Sequence, residues 1–324
     1  MAVARSWRSS QPLEGPFRAR PEEISELNQV FSDAFTERYR RDGMVGVRVP
    51  FLNPSIWRYA LRDADEGAMV WRDERRQIAA FNIVHRSGAE GWMGPLAVRT
   101  DRQGTGIGKD IVGRGIDWLT AQGARVIGLE TMPRTLDNIG FYSRMGFVPG
   151  RLTLTTTLEA VPAEQPAQLL GRRSPREKAD LVDECRGLVQ RLCPQYDYSR
   201  ELLITDELGL GDTVLLFDGD DVAGYALTHT TPLVEGRARE EVRVLKLVLA
   251  EESRFESLVR QVMDFARRGG ARRVAFRMQS DYSEAYRQVV ALGAHVRWSD
   301  LRMSLTGYEE QRPATGMVFS NWEI

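Results

Sequence analysis

Residues 96–108 of this chain read LAVRTDRQGTGIG, and a helical pattern over residues 109–122 follows at once. The segment predicts a strand that ends in a glycine-rich turn. Gly104, Gly106 and Gly108 remove side chains where backbone NH groups must converge, and the start of the helix adds its positive end. The sequence therefore indicates a loop that can hold a phosphate group.

Two other kinds of glycine-rich loop fit the spacing less well. A Walker A loop needs a glycine and a Ser or Thr at the positions of Gln103 and Asp110. A dinucleotide fingerprint needs its third glycine three residues after the second, and an acidic residue on the next strand. Glu130 lies on that strand, but the glycines are spaced two apart, so this alternative stays open.

Two motifs carry a family resemblance. The spacing Gln103-x-x-Gly106-x-Gly108 resembles the pyrophosphate-binding motif (Gln or Arg)-x-x-Gly-x-(Gly or Ala) of the GNAT acyltransferase superfamily. Residues 138–147, NIGFYSRMGF, resemble the second signature of that family in a loose form. Two motifs in this order are more specific than either alone.

Patterns elsewhere in the first half fit the same plan. Apolar residues recur at helical spacing over residues 22–40, and residues 68–71 and 77–85 predict a hairpin. The element order predicts an α/β (α+β) fold. The resemblance implies two tandem GNAT-like domains, each a mixed, mostly antiparallel sheet flanked by helices.

Length and composition describe an ordinary globular chain that is long enough for two cores. It has 324 residues, of which 42% are apolar and 27% charged, and its formal net charge is −1. This balance predicts no attraction to nucleic acid or to a membrane surface. The sequence lacks a secretory signal and any apolar run of membrane-spanning length, so we expect a cytoplasmic protein. Its two cysteines, Cys185 and Cys193, indicate neither a disulfide framework nor a metal site.

The second half repeats the first faintly. Residues 123–125, Gly-Ala-Arg, recur as residues 270–272, and the predicted elements around them recur in the same order, which indicates a duplication. A proline-containing segment lies between the copies. We expect a flexible N-terminus at 1–15, a catalytic acyl-CoA-binding GNAT-like domain at 16–160, a linker at 161–175 and a degenerate GNAT-like domain with a C-terminal strand at 176–324.

The copies differ where chemistry is expected. Glu251, Ser253 and Phe255 replace the three loop glycines, and Val289 replaces Tyr142. A carboxylate and bulky side chains would exclude a diphosphate. We expect the second copy to pack on the first, to shape the acceptor groove, or both.

The resemblance implies acetyl-CoA (coenzyme A) as cofactor. Its pyrophosphate would lie on the amides of the loop, and its pantetheine amides would pair with the strand before the loop, where the family splays its sheet. Burying one of these amides without a hydrogen-bond partner would cost about 1 to 3 kcal/mol. The implied cofactor-binding residues are Leu96, Ala97, Val98, Gln103, Gly104, Thr105, Gly106, Ile107, Gly108, Lys109, Asn138 and Tyr142.

The resemblance also implies a general acid at Tyr142, which would protonate the departing thiolate. A phenol with a pKa near 10 is protonated at neutral pH. A packing role for Tyr142 is the alternative. For the base, Glu130 is our first choice, and His85, Glu90 and bulk solvent stay open.

Together these features predict an N-acetyltransferase that acts on a primary amine of a small molecule or peptide by direct attack. The alternative is a non-catalytic acyl-CoA-binding module with a regulatory or interaction role. Either would work as a monomer or a homodimer, since a duplicated chain already contains two copies of the fold.

Overall fold

The strands and helices of the first half follow the apolar patterns of the sequence. A computed structural model describes residues 12–323 of the chain. The first-half strands are β1 (Glu14–Arg18), β2 (Ala68–Arg72), β3 (Ile78–Ser87), β4 (Glu90–Val98), β5 (Val126–Thr131) and β6 (Phe147–Glu159). The helices are α1 (Ile24–Arg41), α2 (Pro54–Ala64), α3 (Ile107–Ala121) and α4 (Leu136–Arg144).

The second half repeats this order. Its strands are β7 (Gln168–Leu169), β8 (Gly211–Asp218), β9 (Asp221–His229), β10 (Glu241–Leu249), β11 (Arg273–Gln279), β12 (His295–Leu305) and β13 (Met317–Ser320). Its helices are α5 (Pro175–Leu192), α6 (Ser199–Glu207), α7 (Phe255–Arg268) and α8 (Ser283–Ala291). Moving α4 forward by the 147 residues that separate the repeats reproduces the bounds of α8, as the predicted duplication requires.

The two halves exchange their last long strands. Within residues 12–323 one sheet runs in the order β1-β2-β3-β4-β5-β12-β6-β11-β10-β9-β8-β7, with β13 beside β10. Strand β12 pairs with β5 and β6, and β6 pairs with β11, all antiparallel. The mixed α/β fold is therefore confirmed. The predicted segments 16–160 and 176–324 divide the chain, but the sheet crosses that division.

The predicted flexible N-terminus overlaps the first strand. Residues 1–11 lie outside the described part of the chain, whereas Glu14 and Gly15 begin β1, which pairs with β2.

Helices cover both faces of the sheet. On one face, buried side chains of α1 and α2 join those of α5 and α6 in a core that both halves share. On the other face, α3 and α4 cover the first half and α7 and α8 cover the second, each pair over its own core. Cys185 and Cys193 are buried and unbridged. No helix in residues 12–323 is long and apolar enough to cross a membrane.

The C-terminal segment docks on the sheet and reaches the first half. Beyond β13, the indole Nε1 of Trp322 donates to Glu90 at 2.8 Å. The hydroxyls of Tyr198 and Ser320 donate to the same buried carboxylate at 3.0 and 2.8 Å. Glu90 therefore joins β4 to three second-half side chains. A carboxylate buried at 0% exposure requires such donors.

The packing position of the Trp322 ring depends on a glycine in β5. A Cβ added to Gly128 would lie 2.2 Å from Cζ3 of that ring. We expect Gly128→Ala to lower the free energy of unfolding by about 1–3 kcal/mol, because a rigid ring in a packed core cannot move aside freely. Urea titration measures this. Gly113→Ala on α3, where an added Cβ meets nothing within 4 Å, is the matched control and should be neutral or stabilising. Equal stability of the two variants would contradict the packing of Trp322 against Gly128.

Candidate functional site

A cavity of about 300 Å³ lies where β4 and β5 separate. The two strands pair in parallel only along Glu90–Met93 and Val126–Leu129. The first half supplies to its wall the predicted residues Leu96, Glu130, Asn138 and Tyr142. The second half adds Leu233, Val234, Arg277, Trp298, Asp300, Trp322 and Glu323. The cavity is thus built by both repeats.

The glycine loop lies beyond the cavity, at the start of α3. Gly104 and Gly106 have φ of +78° and +92°, which L side chains rarely adopt. A Cβ on either would meet no protein atom within 4 Å, so both border open space. Gly106 is the N-cap of α3, and no side chain caps the helix. This arrangement fits an anionic group such as a pyrophosphate.

Other loop residues brace the turn. The side-chain amide of Gln103 donates to the carbonyl of Val98 at 2.9 Å, which ties the loop to the end of β4. The Lys109 amide donates to the carbonyl of Gly106 at 3.0 Å and is therefore engaged within the first helical turn. A Cβ on Gly108 would lie 3.4 Å from Phe141, an ordinary van der Waals contact, so this third glycine lies against α4 rather than beside open space.

Among residues 12–323, no strand pairs with the second edge of β4 at its end before the loop. Leu96, Ala97 and Val98 pair with β3 on one side, and on the other side β5 has already diverged. Such an edge can accept an extended ligand as a further strand would. The geometry is that implied by the resemblance, while the binding role of these residues stays a prediction.

Tyr142 packs and also lines the cavity. Its ring lies 5.2 Å from Phe141 and 6.1 Å from Phe147, centroid to centroid. Within the described residues its hydroxyl has no hydrogen-bond partner. Burial raises the pKa of Tyr142 to about 12, so the phenol stays protonated throughout the neutral range.

Glu130 is the centre of a buried ionic cluster. Its Oε1 accepts from Thr153 at 2.5 Å and from Nε of Arg302 at 2.9 Å, and its Oε2 accepts from Arg277. Burial alone would raise the pKa of Glu130, but the two guanidinium groups hold it below its usual value. A carboxylate so stabilised is a weak proton acceptor.

The other sequence candidates for the base lie outside the cavity wall. His85 is fully buried against Trp92, with the rings stacked at 3.9 Å, and its Nδ1 lies 2.5 Å from Asp63. Burial lowers the pKa of His85 despite that carboxylate. Glu90 is held by the C-terminal segment as described above.

Sequence reasoning expected the second copy to pack on the first, to shape the acceptor groove, or both, but it assigned none of the second-half residues of the wall. One signal was available for Arg277, because it lies 147 residues after Glu130, the offset between the repeats. Opposite charges at equivalent positions of two repeats predict an ion pair only if those positions lie next to each other in the folded chain. Asp300 had no such signal, since its position depends on where β12 inserts.

The second repeat has the same separation of strands but fills it. Strands β10 and β11 pair only along Glu241–Val244 and Arg273–Phe276. Beyond that point β13 pairs with β10, with Lys246 opposite Ser320. Phe255, at the start of α7, is fully buried and packs on Phe319 at 5.8 Å. Protein atoms thus occupy the space that stays open beside β4.

Comparison with known proteins agrees with this geometry. Residues 25–147 match the model of the acetyltransferase (GNAT) family. A candidate acetyltransferase from Pyrococcus horikoshii superposes with a TM-score of 0.66 at 15% identity, covering 99% of this chain and 98% of its own. A tandem GNAT protein from the clavulanic acid biosynthesis pathway gives 0.60 at 14% identity, with coverage of 93% and 100%.

A GCN5-related N-acetyltransferase from Sphaerobacter thermophilus gives a TM-score of 0.55 at 14% identity, covering 95% of this chain and 97% of its own. At these identities the similarity establishes the fold only. A search of curated protein sequences gives no match.

The cluster around Glu130 makes a direct prediction. Glu130→Gln would leave Arg302 and Arg277 buried with fewer carboxylates, so we expect the free energy of unfolding to fall by about 3 kcal/mol. Thermal and urea unfolding measure this. Glu256→Gln, which removes the half-exposed partner of Arg260 on α7, is the control and should change stability little. Equal stability of both variants would contradict the cluster's structural role.

Proposed function

We propose, from the match of residues 25–147 to the GNAT acetyltransferase family model, that the chain is an acetyl-CoA-dependent N-acetyltransferase acting on a primary amine of a small molecule or peptide. The observation that supports the proposal is the open wedge, the space between β4 and β5 beyond Met93 and Leu129. It has the glycine loop at one end and Tyr142 in the wall of the cavity.

The residues beside the wedge would hold the cofactor as the resemblance implies. Gly104 and Gly106 leave the start of α3 open to a diphosphate, and the free edge of β4 suits the amides of an extended arm. Asn138 lines the cavity next to Tyr142 on α4. When bound, acetyl-CoA supplies a thioester as the activated acyl group.

The chain's own groups would then handle protons. Tyr142 would donate its hydroxyl proton to the leaving sulfur. Its unpartnered hydroxyl in the cavity wall favours this role, whereas its raised pKa keeps the phenol protonated but makes it a weaker acid. The sequence predicts Glu130 as the general base, although its two arginine partners make this carboxylate a poor proton acceptor.

A non-catalytic acyl-CoA-binding module is the second candidate. The packing of Tyr142 on Phe141 and Phe147 favours it, because packing alone would explain a buried tyrosine. Both candidates bind acetyl-CoA, and only the enzyme releases free thiol when amines are added.

Cofactor affinity tests the loop. We expect Gly106→Val to weaken acetyl-CoA binding at least about tenfold by calorimetry, because a β-branched residue at φ +92° costs about 1–3 kcal/mol and deforms the turn. Gly219→Val is the matched control. It places the same residue at φ +60° in the β8–β9 turn, so stability should suffer comparably while affinity is kept. Unchanged affinity in Gly106→Val would refute the loop assignment.

Turnover tests the acid. We expect Tyr142→Phe to lower kcat by about 100-fold or more while keeping the melting temperature and acetyl-CoA affinity, because the ring packing remains and only an unpartnered hydroxyl is lost. The assay is thiol release with a panel of amines. Tyr225→Phe, which removes another buried hydroxyl without a hydrogen-bond partner, should leave kcat unchanged. If Tyr142→Phe turns over as fast as the wild-type protein, the result would support the packing role of Tyr142 instead.

A further inference from the structure

The second-half wall of the cavity carries more negative than positive charge. Arg277 reaches Asp300 at 3.1 Å and Glu323 at 2.9 Å, and it also binds Glu130. One guanidinium therefore faces three carboxylates. Arg302 does not offset the surplus, because it binds Glu310 at 2.6 Å as well as Glu130. Buried Arg243 also acts electrostatically on Glu323, whose side chain is 54% exposed. Asp300, which shares Arg277 with Glu130, is therefore the carboxylate whose charge a cation entering the cavity would balance.

Asp300 is the least satisfied of these carboxylates. Its side chain is 10% exposed, and its Oδ1 accepts from the indole of Trp298 at 3.1 Å. Its Oδ2 lies beside Arg277 but makes no hydrogen bond with it within the described residues. A buried carboxylate oxygen without a hydrogen bond is costly unless a ligand donates to it.

The charged groups around Asp300 oppose one another. Burial and the neighbouring Glu323 raise the pKa of Asp300 to about 6, against the lowering effect of Arg277 and with a further raising effect from Glu130. Tyr39 of α1 faces the same group, since Asp300 and Glu323 both contribute to raising the pKa of that phenol. A carboxyl with a pKa near neutrality is suited to accept and return protons.

Much of the remaining cavity wall is apolar, with several aromatic side chains. Phe31, Tyr39, Trp298 and Trp322 line it. Aromatic faces attract organic cations and accommodate hydrocarbon. Arg38 and Arg277 are the basic residues of the cavity wall within the described part of the chain. Arg38 pairs with Asp42 at 2.5 Å and Asp137 at 3.2 Å, so binding an anionic acceptor to either arginine would compete with its carboxylate partners.

We propose that the acceptor is a cationic primary amine on an apolar arm, and that Asp300 and Glu323 of the second repeat bind its ammonium group, with Asp300 accepting the proton. This inference rests on the proposed N-acetyltransferase function. In the step, one N–H bond of the ammonium breaks and an O–H bond forms on Asp300, while the electron pair stays on nitrogen as the nucleophile. Asp300 then returns the proton to solvent.

Binding tests the recognition without turnover. Calorimetry with protein saturated by coenzyme A would use phenethylammonium as the probe. We expect Asp300→Asn and Glu323→Gln each to weaken its binding about tenfold, and Glu256→Gln to have no effect. Affinity for coenzyme A itself should stay unchanged in all variants. Equal probe affinity in wild type and both wall variants, or no probe binding to wild type, would overturn the inference.

Turnover separates proton transfer from binding. Aniline is neutral at pH 7 and needs no base before attack, whereas phenethylamine must lose a proton. We expect Asp300→Asn to lower kcat/KM for phenethylamine at least tenfold more than for aniline. In wild type, kcat/KM for phenethylamine should rise as pH rises through about 6, because Asp300 must be deprotonated, and Asp300→Asn should lose this inflection.

The two levels of the proposal fail differently. Equal losses for both amines, with the inflection kept, would overturn the role of Asp300 while leaving the enzyme assignment intact. Absence of thiol release with every amine, together with probe binding that depends on Asp300, would refute the proposed function and support the recognition site.

Discussion

A buried ion pair between two equivalent positions of the repeats organises this molecule. Glu130 on β5 and Arg277 on β11 lie 147 residues apart and bind each other across the two exchanged strands. Arg302 and Thr153, from β12 and β6, complete the coordination of Glu130. The cluster thus spans four adjacent strands. Removing any one charge would leave its buried neighbours with one partner fewer, so the ionic network stabilises the exchanged arrangement.

The C-terminal segment distinguishes the two similar repeats. In both, the first parallel strand pair opens after four residues. In the first repeat the opening stays free and leads to a loop in which Gly104 and Gly106 border open space. In the second, β13 fills the opening, and Phe255 closes the start of α7. The same chain end that fills the second wedge carries Trp322 and Glu323 into the wall of the first cavity. The C-terminal segment thus occupies the opening of the second repeat and completes the cavity wall of the first.

The sequence predicts local features well and the joint site poorly. The glycine loop, the helix after it and the loss of that loop in the second copy are local, because backbone freedom and side-chain volume at single positions determine them. The repeat offset is likewise visible in residues 123–125 and 270–272. The position of β12 between β5 and β6 is not visible in the sequence, because a strand with alternating apolar and polar residues can pair with the edge of several other strands. Arg277 and Asp300 could not be assigned to the cavity until that pairing was known.

The central claim is that one repeat binds the acyl carrier while the other blocks its own wedge and completes the acceptor wall. Calorimetric titration of the full chain with acetyl-CoA measures this most directly. The account predicts a stoichiometry of one acetyl-CoA per chain. Two equivalents per chain, or no binding, would contradict it.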